Sequence, residues 1–268
     1  MSDANYPVKT ALTIAGSDPS GGAGIQADLK TFSQLRVYGM AVVAAMTAQN
    51  SLGVSAVAEV APDFVGQQLD AVFSDIRPDA VKTGMLLTAG VIEVVVQKLK
   101  LYEITNLVVD PVMMSTSGAT LMNSDAITVF CRMLLPLATL ITPNTDEAGA
   151  LTGKAIRTVR DMEAAAVQVH DMGAAHVLIK GGHVKAEDAT DVLFDGREFL
   201  KVQSSRIATR NTHGTGCVLS ASIAAYLALG KSVKEAVSLS KQFVTQAIRN
   251  ALQIGHGAGP CDPLSLGG

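Results

Sequence analysis

Six short runs of apolar, largely β-branched residues, separated by stretches with helical spacing, constrain this chain more than any other feature. The runs are Thr10 to Ala15, Met40 to Ala45, Ala80 to Met85, Asn106 to Val112, Leu137 to Thr142 and His176 to Lys180. They are continuous rather than alternating, the pattern of strands buried on both faces. Between them, Gln26 to Leu35, Phe64 to Phe73, Val91 to Leu101, Ala126 to Leu135 and Val159 to Met172 place apolar residues three and four apart. This alternation predicts a doubly wound α/β fold, a mostly parallel sheet covered by helices on both faces. With 268 residues, 48% of them apolar, the chain can bury a large core as one domain, 1–268.

One segment breaks the pattern. From Asp191 to Val202 two short apolar runs flank Asp195-Gly196, a dipeptide suited to a tight hairpin, which belongs near a sheet edge. Two helices should close the chain: Thr215 to Leu229, ended by Gly230 in a left-handed cap, and a second opened by the capping box Ser232-x-x-Glu235.

The net charge of −3 is spread without a basic cluster, so neither nucleic acid nor an anionic membrane surface is expected as a partner. Met1 to Thr10 lacks the form of a signal peptide, and apolar stretches such as Met40 to Ala48 and Val91 to Val96 are too short to cross a bilayer. Cys131, Cys217 and Cys261 lie far apart, without zinc or redox-dithiol spacing. A cytoplasmic protein acting on a small molecule is the expectation.

Ligands of open parallel sheets bind outside the carboxyl ends of the strands, so chemistry is expected in the loops there. Gly16-Ser17-Asp18-Pro19-Ser20-Gly21-Gly22-Ala23-Gly24 follows the first strand and matches neither a P-loop nor a dinucleotide fingerprint. Asn211-Thr212-His213-Gly214-Thr215-Gly216-Cys217 precedes a helix, where successive N–H groups can hold an anion. Cys217 falls in that helix's first turn, where the dipole should lower its pKa and let it serve as a base; a buried, inert thiol and a solvated His213 are the plainer alternatives. Asp110, at the end of Val108-Val109-Asp110, suits support of a hydrated Mg2+ or simply a turn before Pro111. Asn144 and Glu147, three apart, can reach one metal-phosphate cluster or form an ordinary capping box. Lys180 supplies a cation to complement phosphate.

Together, Ala15-Gly16-Ser17-Asp18 with Gly21 to Gly24, Lys82-Thr83-Gly84-Met85, Asp110-Pro111-Val112-Met113, Thr142-Pro143-Asn144 and Gly214-Thr215-Gly216-Cys217 resemble the ribokinase superfamily. Within it, residues 9 to 260 are most similar to the hydroxymethylpyrimidine/phosphomethylpyrimidine kinases of thiamine biosynthesis. The resemblance implies a three-layer α/β/α kinase fold, MgATP as co-substrate, a homodimer, and phosphorylation of a pyrimidine alcohol and then of its monophosphate. It implies that Gln49 meets the aminopyrimidine edge, with Gly16, Asp28, Met85 and Val112 lining that pocket. Asn144, Glu147, Lys180, Thr212 and His213 match nucleotide-binding positions, Asp110 and Glu147 the metal, and Gly214, Thr215, Gly216 and Cys217 the catalytic anion hole.

A lysine that many relatives carry near Thr116, in the lid segment Met113 to Gly118, is missing. A pyridoxal kinase-like enzyme is the nearest rival, opposed by Gln49 and by Ser115 and Thr116 where such enzymes carry a cysteine; a non-catalytic nucleotide-binding regulator is the other alternative.

Overall fold

The computed structural model describes residues 8–114, 121–182, 184 and 188–265. Among them, nine strands form one sheet, β1 (Thr10–Ser17), β2 (Tyr38–Asn50), β3 (Gly53–Glu59), β4 (Ala80–Thr83), β5 (Leu107–Val109), β6 (Leu140–Ile141), β7 (Val177–Ile179), β8 (Asp188–Phe194) and β9 (Phe199–Ser205). Their order is β3-β2-β1-β4-β5-β6-β7-β8-β9. The six inner strands β2 to β7 run parallel, while β3 at one end and the β8–β9 hairpin at the other are antiparallel.

Each parallel strand feeds both faces, because successive side chains point to opposite sides. Leu12, Ile14, Val109, Ile141 and Ile179 face one core, shared with α2 (Pro62–Phe73), α3 (Ala89–Leu101), α4 (Ser124–Val129) and α6 (Val159–Asp171). Ala11, Val108, Leu140 and Leu178 face the other, under α1 (Gly24–Gln34), α7 (Thr215–Ala228) and α8 (Val233–Arg249). The three-layer expectation is met. α5 (Thr145–Thr152) follows β6 directly, started by the Asn144–Glu147 capping box.

The hairpin turns at Gly196 with φ +87°, and Gly230 ends α7 at φ +81°, both as expected. Ser232 and Glu235 form the capping box of α8. Two expectations change. β3 was not anticipated, since five of its seven residues are exposed and show no apolar alternation. The helix expected from Ala126 to Leu135 ends at Val129 and continues as a π turn over Phe130–Leu134 and a 3-10 turn over Leu135–Leu137, because Pro136 has no N–H to extend the ladder. That turn also absorbs the start of the strand expected at Leu137.

No helix among the described residues is long and apolar enough to cross a membrane. Residues 115–118 of the lid segment, and 1–7 of the N-terminal segment, lie outside the described residues.

The chain passes from β1 to β2 on one side and returns to β4 on the other, so β1 and β4 flank the point where strand order reverses. Crevices outside the carboxyl ends of strands open at such switch points. Gly16 and Gly84 stand there.

Candidate active site

A cavity of about 610 Å³ occupies this position. It is large enough for a small molecule beside a nucleotide's phosphates. Fourteen of the fifteen residues singled out in the sequence line it; Asp28 does not.

Two glycine-rich loops interlock at its centre. Gly214 adopts φ +77°, and a Cβ there would stand 1.8 Å from the carbonyl oxygen of Gly22. His213 reinforces the contact, its Nε2 lying 2.8 Å from Asp18 Oδ2. Burial alone would raise the Asp18 pKa, but hydrogen bonds from His213 and Ser20 bring it down to about 2. The interlock brings the start of α7 against the start of α1, whose Gly24 backbone hydrogen-bonds Cys217. Gly214 as N-cap offers no side chain, so first-turn amides of α7 stay open to the cavity.

Lys180 stands over these amides, its Nζ 3.4 Å from where a Gly216 Cβ would be. The same ammonium donates to Asp110 Oδ1 at 2.8 Å and lies 3.9 Å from Glu147 Oε2. Asp110 also accepts from Thr142 and, through Oδ2, from Ser220. Burial opposes the Asp110 charge, yet Lys180 and Lys82 hold its pKa below the usual carboxylate range. Glu147 is pushed up to about 7, chiefly by burial, with Lys180 offsetting only part. Its Oε2 accepts from the Asn144 backbone N–H at 2.7 Å, and Asn144 Oδ1 accepts from the N–H groups of Asp146 and Glu147. Both capping box and cluster are therefore present, with Glu147 Oε1 and the Asn144 amide nitrogen left for a ligand.

Gln49 sits at an irregularity in the β2–β3 pairing, between Ala48 and Gln49. Bulges of this kind re-aim side chains. The hydroxyl of Thr47 has one proton, given to Ser17 O at 2.9 Å, and His213 Nε2 must carry a proton to bond a carboxylate. Gln49 Oε1 lies 3.2 Å from the Thr47 hydroxyl and Nε2 lies 3.4 Å from His213 Nε2, both contacts longer than the bonds those neighbours make elsewhere. One amide hydrogen and one carbonyl lone pair remain for a ligand. Met85 and Val112 add apolar wall, with Gly16 packed against Met85 so closely that a Cβ would fall 2.4 Å from Cε.

Three expectations are corrected. Asp28 is fully buried, bonded through Oδ2 to Lys82 Nζ at 2.8 Å and to Thr13, and touches no ligand space. The Cys217 thiol is not acidic: burial pushes it up to about 11, which Lys82 reduces only in part and Asp28 and Asp110 worsen. His213 is buried, its Nε2 bonded to Asp18 with Gln49 beside it, so it is not a solvated loop residue. Thr212 is exposed at the rim.

Other lining residues escaped sequence reading. Asp191 accepts from Gly181 N–H and pairs with Lys241 at 2.8 Å, bracing the turn after Lys180. Ile207, Leu219, Val244 and Ile248 form an apolar shelf from three separate elements. Lys82, a lone cation in an apolar run, was the one visible signal.

Residues 18–262 match the family model described as phosphomethylpyrimidine kinase. The chain is 47% identical, over 96% of its length and 95% of the other's, to a hydroxymethylpyrimidine/phosphomethylpyrimidine kinase of Bacillus subtilis. It is 50% identical to the thiamine biosynthesis bifunctional protein ThiED of Geobacter sulfurreducens over 97% of this chain but only 53% of that protein, so it spans about half of such relatives. Among solved structures it is similar to the pyridoxal kinase of Staphylococcus aureus in complex with AMP-PCP and pyridoxal, with TM-score 0.91 and 39% identity over 97% and 95% of the two chains.

The two left-handed glycines separate backbone strain from loop contact. Gly230→Ala, with open space around it, should cost only the left-handed penalty, about 1–2 kcal/mol. Gly214→Ala must also part the loops, and urea unfolding should show it clearly more destabilised than Gly230→Ala; equal losses would mean the interlock is slack.

Proposed function

From the premise that this chain belongs to the phosphomethylpyrimidine kinase family and has a ribokinase-like fold, we propose that it phosphorylates 4-amino-5-hydroxymethyl-2-methylpyrimidine with ATP, first to the monophosphate and then to the diphosphate, for thiamine biosynthesis. The observation that carries the reading is the meeting of Cys217, the open amides of α7 and the donor-acceptor face of Gln49 in one cavity.

Gln49 presents an N–H and a carbonyl lone pair side by side, the complement of a ring nitrogen next to an amino group. Met85 and Val112 hold the ring, directing its hydroxymethyl group toward Cys217. The thiolate of Cys217 takes the hydroxyl proton as the oxygen bonds to the γ-phosphorus and ADP leaves. Lys180 and the amides of Gly216 and Cys217 neutralise charge on the transferring group without having to reorganise. In the second transfer the nucleophile is an ionised phosphate oxygen, which needs no base. The shelf of Ile207, Val244 and Ile248 offers apolar cover to the nucleotide base.

The donor set fits Mg2+, which takes one or two carboxylates and binds mainly through substrate phosphates. Glu147 has a free oxygen for it, whereas both Asp110 oxygens are engaged, so Glu147 would hold the ion and Asp110 would support it from behind. Bound there, Mg2+ would supply charge neutralisation to the polyphosphate.

A cytoplasmic homodimer completes the reading. Exposed Met46 and Val57 of the β2–β3 hairpin give a second copy apolar surface to cover.

Pyridoxal phosphorylation is the second reading, favoured by the backbone likeness to the Staphylococcus aureus enzyme. ADP release with the pyrimidine alcohol, its monophosphate and pyridoxal decides. Fastest turnover of the pyrimidine pair is expected; turnover of pyridoxal alone would replace the reading, and turnover of none would leave a binding protein.

With a free-site thiol at about 11, kcat/KM for the alcohol should climb with pH through 7 to 9, because thiolate increases with pH. Cys217→Ala should flatten that climb and lower the alcohol step by roughly 100-fold or more, within the usual span of general-base contributions. The phosphate step should fall much less. Equal losses on both acceptors would contradict a base.

A further inference from the structure

The Lys82–Asp28 pair has no part in the transfer described above, yet both side chains are fully buried. Such pairs contribute little net stability, since desolvation offsets their attraction. The arrangement is also lopsided. Asp28 Oδ2 receives both Thr13 and Lys82, while Oδ1, equally buried, has no hydrogen-bond partner. Lys82 thus holds all of its directed bonding on one side and keeps its charge close under the cavity. Its Nζ lies 2.9 Å from where a Gly84 Cβ would stand, between the Gly84 turn and the cavity floor.

Above that floor is Cys217. Cys217 and Lys82 line the same cavity, and α7, which carries Cys217 in its first turn, packs directly on β4, which carries Lys82. The charged groups acting on the thiol are Lys82 from β4, Asp28 from α1 and Asp110 beyond β5, with Lys180 beyond β7 and Cys261 near the C-terminal end also coupled to it. Of Lys82, Asp28 and Asp110, only Lys82 is a cation. Resting on the transfer read above, we propose that Lys82 is a positioning residue for the alcohol step: anchored from behind by Asp28, its buried ammonium makes negative charge attainable on the Cys217 sulfur. Burial opposes the Lys82 charge, but Asp28, Cys217 and Asp110 hold its pKa above the ordinary lysine range. The ammonium is therefore permanent at working pH. Asp28 fixes its place, so that it does not swing to Asp110 and cancel the carboxylate that holds Lys180.

The test is the pH midpoint of iodoacetamide alkylation of Cys217, followed on its own peptide by mass spectrometry, together with kcat on each acceptor. Lys82→Met should raise the midpoint by about one pH unit or more and cut kcat on the alcohol about tenfold or more, with a smaller loss on the monophosphate and little change in KM. Asp28→Asn removes a carboxylate that opposes thiolate, so it should lower the midpoint. The neutral pair Lys82→Met/Asp28→Asn leaves no uncompensated buried charge and should still raise the midpoint, by less than Lys82→Met alone. A merely structural role would move all three in one direction, or none, and would overturn the proposal. If Lys82→Met does not fold, the neutral pair decides: a raised midpoint upholds it and an unchanged one refutes it. Alkylation needs no substrate, so this result stands apart from any failure of the acceptor assignment.

Discussion

Everything at the cavity depends on one close contact, the backbone of Gly214 laid against the carbonyl of Gly22. No side chain fits between them, and the left-handed turn at Gly214 lets the chain enter α7 at that point. The hydrogen bond between His213 and Asp18 fastens the loops from the side. As a result the starts of α1 and α7, built from opposite ends of the chain, converge on a single sulfur. Two helix N-termini concentrate positive potential where an anion must sit.

Charge is distributed around this point in separate compartments. Lys82 and Asp28 are sealed beneath the floor, whereas Lys180, Asp110 and Glu147 stand at the carboxyl ends of the strands beyond. Asp110 stays ionised because Lys180 faces it; Glu147, less well compensated, rises to about 7. An entering cation would draw Glu147 into its charged form, whereas a polyphosphate without a cation would keep it protonated. The thiol shows the opposite bias, kept neutral by burial until positive charge arrives. A site arranged this way holds its reactive groups quiet when empty.

Local physics carried most of the fold into the sequence. Continuous apolar runs, Asp195-Gly196, Gly230 and the Ser232–Glu235 box each specify an element through contacts only a few residues apart, and the structure has all of them. β3 carried no such mark, because its exposed face has no pattern to repeat. At the site, residue type and strand-end position were enough to gather nearly every lining residue. The three corrections share a cause that sequence does not display. Whether Asp28 faces a ligand or Lys82 depends on packing across 54 residues, and the partner of His213 lies 195 residues away. The pKa of Cys217 is raised chiefly by burial among the assembled loops, which a local reading of the helix end does not see.

The most direct test of the claim that paired helix ends receive the transferred group is a crystal structure with MgADP, aluminium fluoride and the pyrimidine alcohol. The fluorides should lie about 3 Å from the backbone nitrogens of Gly216 and Cys217, with Lys180 on the same group and the alcohol oxygen opposite ADP. A planar fluoride bound elsewhere in the cavity, with those amides facing only water, would contradict it.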